Sequence, residues 1–157
     1  MMITLVKATS TDATALHALQ IKSFLPLLLK YNDVETNPSL EPLEKTLNRI
    51  NDSRKGFYKI LKDGFLVGGI AIKKTAPNTL FIGPFFIDPD FQNQKIAQKA
   101  LILLEEIFKE FDFFELGLIR EEKRNLYLYQ KLNYVLTGET KKINHLDIIY
   151  FRKKLHP

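Results

Sequence analysis

Apolar and polar positions alternate briefly from Ile3 to Lys7 and predict a first strand. Ser10 or Thr11 then offers a side-chain oxygen to cap a helix carrying Leu16, Leu19 and Phe24, which Pro26 should kink or end. After the loop "KYNDVETNP", Ser39 can cap a second helix, with Pro42 in its first turn and Leu40, Leu43, Leu47 and Ile50 on one face. "GFYKILKDGFLVGGIAI" is the clearest hairpin, because Asp63 and Gly64 suit the positive φ angles of a two-residue turn between β-rich runs. "APN" turns the chain into a strand from Thr79 to Ile87, interrupted by Gly83-Pro84 as a bulge or splay would be.

Beyond it, Ile96, Ala97, Ala100, Leu101, Leu104, Ile107, Phe108 and Phe111 form a stripe opposite Gln98, Lys99, Glu105 and Lys109, predicting a helix that packs one face on a sheet. "FFELGLI" reads as a buried strand and "NLYLYQKL" as a short helix. Tyr134 to Glu139 and Asp147 to Lys154 read as two last strands. Strand, two helices, three strands, helix, strand, helix, two strands is an order that requires a mixed α/β layer rather than a doubly wound parallel sheet.

No repeat or linker interrupts this order, and 157 residues suit one domain, expected over 1–157, because a core of that size can bury roughly two-thirds of the unfolded surface. With 45% hydrophobic and 26% charged residues the chain reads as globular rather than disordered. The absence of cysteine excludes disulfides, thiolate metal sites and a cysteine nucleophile, and makes a cytoplasmic location the expectation. No apolar run approaches the ~20 residues of a membrane span, so no membrane is expected as a partner. The net charge of +5 favours an anionic ligand, yet no basic helix is interleaved with aromatics, which argues against nucleic acid.

His17, His145 and His156 lack a metal-ligand spacing, so no metal is implied. No serine stands in a Gly-x-Ser-x-Gly elbow, which removes a serine hydrolase of that type. Chemistry concentrates instead at the corner "IDPDFQNQKIAQKALILLEEIF", where a strand ends against a helix start. Unpaired backbone N–H groups and the helix dipole make such a corner an anion site, with phosphate its natural ligand. Asp88 and Asp90 oppose an anion unless they cap the turn and point away.

"IDPDFQNQKIAQKAL" resembles the acyl-CoA-binding motif of the GNAT superfamily of N-acetyltransferases, in which Gln/Arg-x-x-Gly-x-Gly/Ala opens a helix after a strand end; Gln92 and Ala97 match. "NLYLYQKLNY" is similar to the second signature, Leu-Tyr-x-Lys-Leu-Gly-Phe/Tyr, carried by Leu128, Tyr129, Lys131, Leu132 and Tyr134, with Asn133 in place of glycine. Lys95 stands where the family most often has glycine; a negative φ there would accommodate it, with the ammonium on a phosphate or in water.

The resemblance implies an α/β (α+β), single-domain GNAT-like fold: a mostly antiparallel twisted sheet of about seven strands, flanked by about four helices, with a splayed middle strand. It implies acetyl-CoA as acyl donor and a primary amine, small or peptidic, as acceptor, by direct attack in a ternary complex. A non-catalytic acyl-CoA-binding module on the same fold is the alternative. The backbone of Ile87 would bind the pantetheine arm, the amides of Gln92, Gln94, Lys95, Ile96 and Ala97 the pyrophosphate, and Asn125 the cofactor arm. Tyr129 would protonate the departing thiolate, with Tyr127 its near neighbour. The strand "TLFIGPFFI" holds no acid, leaving water, Glu35 or Glu115 to take the amine proton; Tyr31, Glu35, Asn37 and His145 would lie near the acceptor's entrance. Exposed strand edges near the C-terminus leave a homodimer open.

Overall fold

A computed structural model describes residues 1–156. Its elements follow the expected order: β1 (Ile3–Lys7), α1 (Ala13–Tyr31), α2 (Leu43–Asn51), β2 (Lys55–Lys62), β3 (Phe65–Ala76), β4 (Thr79–Ile87), α3 (Ile96–Ile107), β5 (Phe113–Ile119), α4 (Lys123–Lys131), β6 (Val135–Ile143) and β7 (Leu146–Lys154). Seven strands form one sheet in the order β1-β2-β3-β4-β5-β7-β6, antiparallel throughout except between β4 and β5. The β2–β3 hairpin turns on Asp63 at φ 49 and Gly64 at φ 89, as its sequence predicts.

Strand alternation sends side chains to two cores. Ile70 and Ile72 join Leu101, Leu104 and Phe114 on the side covered by α3 and α4. Ala71, between them in sequence, faces Leu16, Phe57 and Phe86 under α1. Every residue just named is at most 6% exposed, so the sheet is the middle layer of three.

The sheet opens where β4 and β5 part. They pair only over Thr79–Phe81 and Phe113–Glu115; from there β4 follows β3 as far as Ile87, and β5 follows β7 as far as Ile119. Pro84 has no N–H to give a ladder, and Gly83 lies at φ 145, which a side chain would resist, so the break is written locally in "GP".

Three expectations need correction. α1 does not end at Pro26 but continues to Tyr31, where Asn32 closes it at φ 50. Pro26 and Lys22 are both exposed, so the carbonyl that proline leaves without a donor can turn to water. Ser39 does not cap the second helix. Asn37 caps a separate short turn, Pro38–Leu40, by accepting the Ser39 N–H at 2.8 Å, and α2 starts at Leu43 behind Pro42. Proline holds Glu41 extended at ψ 139, which bars the helix from reaching back and leaves Leu40 53% exposed. Finally, α3 ends at Ile107, which is 41% exposed, so the buried part of its stripe is Ile96, Ala100, Leu101 and Leu104.

No described helix is long and apolar enough to cross a membrane, and no group of His, Asp and Glu among the described residues could hold a metal ion.

Candidate active site in the opening of the sheet

The opening holds two cavities that share a partition made of Phe24 and Leu27 from α1, Phe85 from β4, and Asn125 and Tyr129 from α4. The first, about 410 Å³, lies against the end of β4 and the start of α3. The second, about 370 Å³, lies beneath Gly83 and Pro84, against β5 and β7.

The first cavity is built around exposed backbone. The Asp88 N–H donates to Val67 on β3 at 2.7 Å, and consecutive residues of a strand point their peptide groups to opposite sides. The N–H and C=O of Ile87 therefore face the opening, where the carbonyl accepts a bond from Gln92 Nε2 at 3.3 Å. The acids of the turn are held aside: Asp88 accepts the Asp90 N–H at 2.9 Å, and Lys22 of α1 bridges Asp88 at 2.9 Å and Asp90 at 2.8 Å. Asp88 thus caps the turn as expected, whereas Asp90 caps nothing and is held by Lys22 instead.

Lys95 does not take the negative φ allowed for it above; it lies at φ 59, with Asn93 at φ 64. Lysine thus adopts the left-handed backbone that glycine favours, at a cost of roughly 1–2 kcal/mol from its Cβ. The turn aims the start of α3 at the cavity. The Lys99 N–H is bonded to the Lys95 carbonyl at 3.1 Å, while the amides of Ile96, Ala97 and Gln98 precede the first residue with an intrahelical acceptor. Such a row of amides at the positive end of a helix binds anions. Lys95, Arg124 and Lys131 add three cations to the wall, and no carboxylate lines it.

Of the residues expected at the cofactor, Ile87, Gln92, Lys95, Ile96, Ala97 and Asn125 all line this cavity. Gln94 does not; its Oε1 accepts a bond from Lys62 at 2.6 Å.

On α4, Asn125 and Tyr129 stand four residues apart and share a face, and Glu122, just before the helix, lines the second cavity with them. Tyr129 is 8% exposed, with its ring wedged at 5.8 Å from Tyr134 and 6.2 Å from Phe151. Burial pushes its phenol well above the ordinary range, so it stays protonated. Tyr127 is 69% exposed and touches only the first cavity. Asn133 lies at φ 70 just past the helix, a left-handed position that asparagine tolerates in place of glycine.

The second cavity is apolar over Pro84, Leu118, Ile148 and Tyr150, with Asp33, Glu41, Arg49 and Glu122 as its charged residues: three carboxylates against one guanidinium. Asn37 lines it, tied to Phe24 O at 3.2 Å through its amide. Tyr31 and Glu35 lie on neither wall. Tyr31 donates its hydroxyl hydrogen to Glu122 Oε2 at 2.5 Å from behind, and Glu35 is exposed. Glu115 is engaged by Arg152 at 2.8 Å, and His145 contacts the Tyr31 carbonyl at 2.7 Å, also off both walls. Sequence reasoning missed Glu122, Arg124 and the partition residues Phe24 and Leu27. Helical spacing back from Tyr129 could have found Glu122; nothing local marks the other three.

Solved structures of similar shape are plentiful. The ribosomal-protein-S18-alanine N-acetyltransferase of Escherichia coli superposes with a TM-score of 0.79 at 12% identity, over 98% of this chain and 94% of that one. The PaiA N-acetyltransferase of Thermoplasma acidophilum, solved in complex with coenzyme A, gives 0.77 at 22% identity over 98% and 99%. An N-acetyltransferase of Staphylococcus aureus Mu50 gives 0.77 at 15% over 99% and 100%. At such identities these likenesses speak for the fold. No curated protein sequence matches the chain. The acetyltransferase (GNAT) family profile matches residues 16–134, a span from α1 through the left-handed turn after α4 that takes in the whole lining of the first cavity and all of the second but Ile143, Ile148 and Tyr150. The chain therefore belongs to the GNAT acetyltransferase family.

Proposed function

We propose that the chain is an acetyl-CoA-dependent N-acetyltransferase, one domain over 1–157, that transfers acetyl to a primary amine by direct attack in a ternary complex. The observation that carries this reading is the shared partition: Tyr129 and Asn125 reach a cavity with cationic walls on one side and a cavity of net negative lining on the other. An anionic cofactor and a cationic acceptor would each meet walls of opposite sign, with the buried phenol between them.

The amides of Ile96, Ala97 and Gln98, with Lys95 beside them, would hold the pyrophosphate, and the open peptide groups of Ile87 the pantetheine arm. The amine nitrogen attacks the thioester carbonyl carbon, and the tetrahedral intermediate expels the thiolate as the C–S bond breaks. Tyr129, protonated because burial disfavours its phenolate, donates its hydrogen to that sulfur. The bound ammonium first gives one proton to water, which frees the nitrogen lone pair, and the second proton lost from nitrogen as the amide forms returns through water to Tyr129. We place the enzyme in the cytoplasm, and β6, exposed along almost its whole length, is the edge on which a homodimer would form.

The test is thermal unfolding of the purified protein with acetyl-CoA, with CoA, and with ATP as a polyanion control. A ligand at about 100 times its Kd adds about 2.7 kcal/mol, a shift of several degrees for a chain of this size. Shifts with both CoA species but not ATP, together with acetyl transfer to an amine, are expected. Binding without transfer to any amine would favour the non-catalytic module, and no shift at all would overturn the cofactor.

A further inference from the structure

On the reading just given, we infer that the acceptor is a small primary amine with an apolar or aromatic body, held by its ammonium on Glu122 Oε1. The three carboxylates of the second cavity are not equivalent. Glu41 receives both arms of Arg49, at 2.7 and 2.9 Å, and a bond from Gln20 at 2.8 Å. Asp33 is used on both oxygens by Thr36, through its N–H at 3.0 Å and its hydroxyl at 2.5 Å. Glu122 is bonded on one oxygen only: Tyr31 at 2.5 Å and Lys30 at 3.1 Å both go to Oε2.

Oε1 has no partner among the described residues, on a side chain only 18% exposed that lines the cavity. An ammonium is the ligand that satisfies a half-buried carboxylate oxygen of this kind. Glu122 immediately precedes α4 and lines the same cavity as Asn125 and Tyr129, so an amine entering past it travels toward the phenol.

The rest of the wall defines the body of the acceptor. Pro84, Leu118, Ile148 and Tyr150 offer apolar surface, and Asp33 already has both oxygens bonded by Thr36, so an apolar body is matched better than the second ammonium of a polyamine. Arg49, the one cation on the wall, is already held by Glu41 on two bonds, so a carboxylate on the acceptor would find no free guanidinium. A volume of about 370 Å³ suits a small molecule.

The experiment measures kcat/KM of the full chain, at saturating acetyl-CoA, for 2-phenylethylamine, spermidine, L-phenylalanine and a short peptide with an N-terminal phenylalanine. Phenylethylamine is expected to lead the other three by about tenfold or more, and Glu122→Gln to raise its KM by about tenfold or more, the loss of one charge-assisted bond. The kcat and the thermal shift with CoA should stay within about twofold and a degree of the parent, which a merely structural role for Glu122 would not allow. Preference for spermidine, phenylalanine or the peptide, acetylation of none of the four, or an unchanged KM in Glu122→Gln overturns the proposal. Should Glu122→Gln fail to fold, the order of preference in the parent protein still decides. Absence of CoA binding would sink the acetyltransferase reading itself, whereas CoA binding with the wrong acceptor order sinks only this inference.

Discussion

The rings of Tyr129 and Tyr134 meet edge to face, 5.8 Å between centroids and 65° between planes. Only one of the two hydroxyls is occupied: Tyr134 donates to Glu105 Oε2 at 3.0 Å, while that of Tyr129 has no partner among the described residues. The first phenol is thereby committed to structure and the second is free to act. Replacing Tyr129 by phenylalanine keeps the ring packing and removes only the donor. Turnover with a competent amine should fall by about 10²–10⁴, the worth of a general acid, with CoA affinity nearly unchanged. Steady-state rates beside a CoA titration check this, and an unaltered kcat would take Tyr129 out of the mechanism.

The same phenol links stability to alkaline pH. Burial raises the pKa of folded Tyr129 above its ordinary value of 10, so above that pH the unfolded chain loses a proton that the folded chain keeps. The folded state binds more protons there, and stability declines as pH rises. Tyr129→Phe removes one tyrosine from this balance. Relative to the parent it should gain about 1.4 kcal/mol for each pH unit above 10, as far as the folded pKa. Urea denaturation at pH 9 and pH 11 measures the difference; parallel losses in both proteins would contradict it.

Lys95 stores a small strain at the cofactor corner. At φ 59 its Cβ is unfavourable by roughly 1–2 kcal/mol, while glycine returns about 0.5–1 kcal/mol of that through unfolded-state entropy. Lys95→Gly is thus expected to be neutral or up to about 1.5 kcal/mol more stable. Lys95→Val, β-branched at a left-handed position, should lose about 1–2 kcal/mol. Denaturant midpoints decide, and a valine variant as stable as the parent would show that the turn relaxes.

What could be read from the chain divides along the same residues. Apolar runs and helical periodicity place nearly every element, because a sheet covered on both faces makes its inner strands near-continuously apolar and gives each covering helix one apolar stripe, and "GP" announces the opening of β4. The corner at Gln92 to Ala97 is legible since an anion site of backbone amides is local in sequence. The backbone sign at Lys95 is not, because lysine alone carries no preference for the left-handed region that the turn imposes. The acceptor side is less legible still. Leu27 reaches the partition because α1 passes through Pro26, and Glu122 meets Tyr31 across 91 positions, a contact that only the tertiary fold creates.

Arg49 and Glu41 give a last prediction, on acid stability. Burial alone would raise the Glu41 carboxyl, but the two bonds and the charge of Arg49, with Gln20 and Lys45 assisting, hold it below its ordinary 4.5. A depressed folded pKa contributes stability that is fully present above about pH 4.5 and lost as pH falls through the folded value. Arg49→Ala leaves a carboxylate whose side chain is 16% exposed, opposed only by Gln20 and by Lys45 at 3.4 Å. Breaking a half-buried pair from one side should cost about 3–5 kcal/mol at neutral pH. With its main counter-charge gone, burial raises the Glu41 pKa above its unfolded value, so the variant's deficit relative to the parent should shrink as pH falls and protonation removes the unpaired buried charge. Unfolding followed by circular dichroism from pH 7 down to pH 3 tests both parts. A stability gap between variant and parent that stays constant or widens from pH 7 to pH 3 would show that Glu41 is held by its solvent and Gln20 rather than by Arg49.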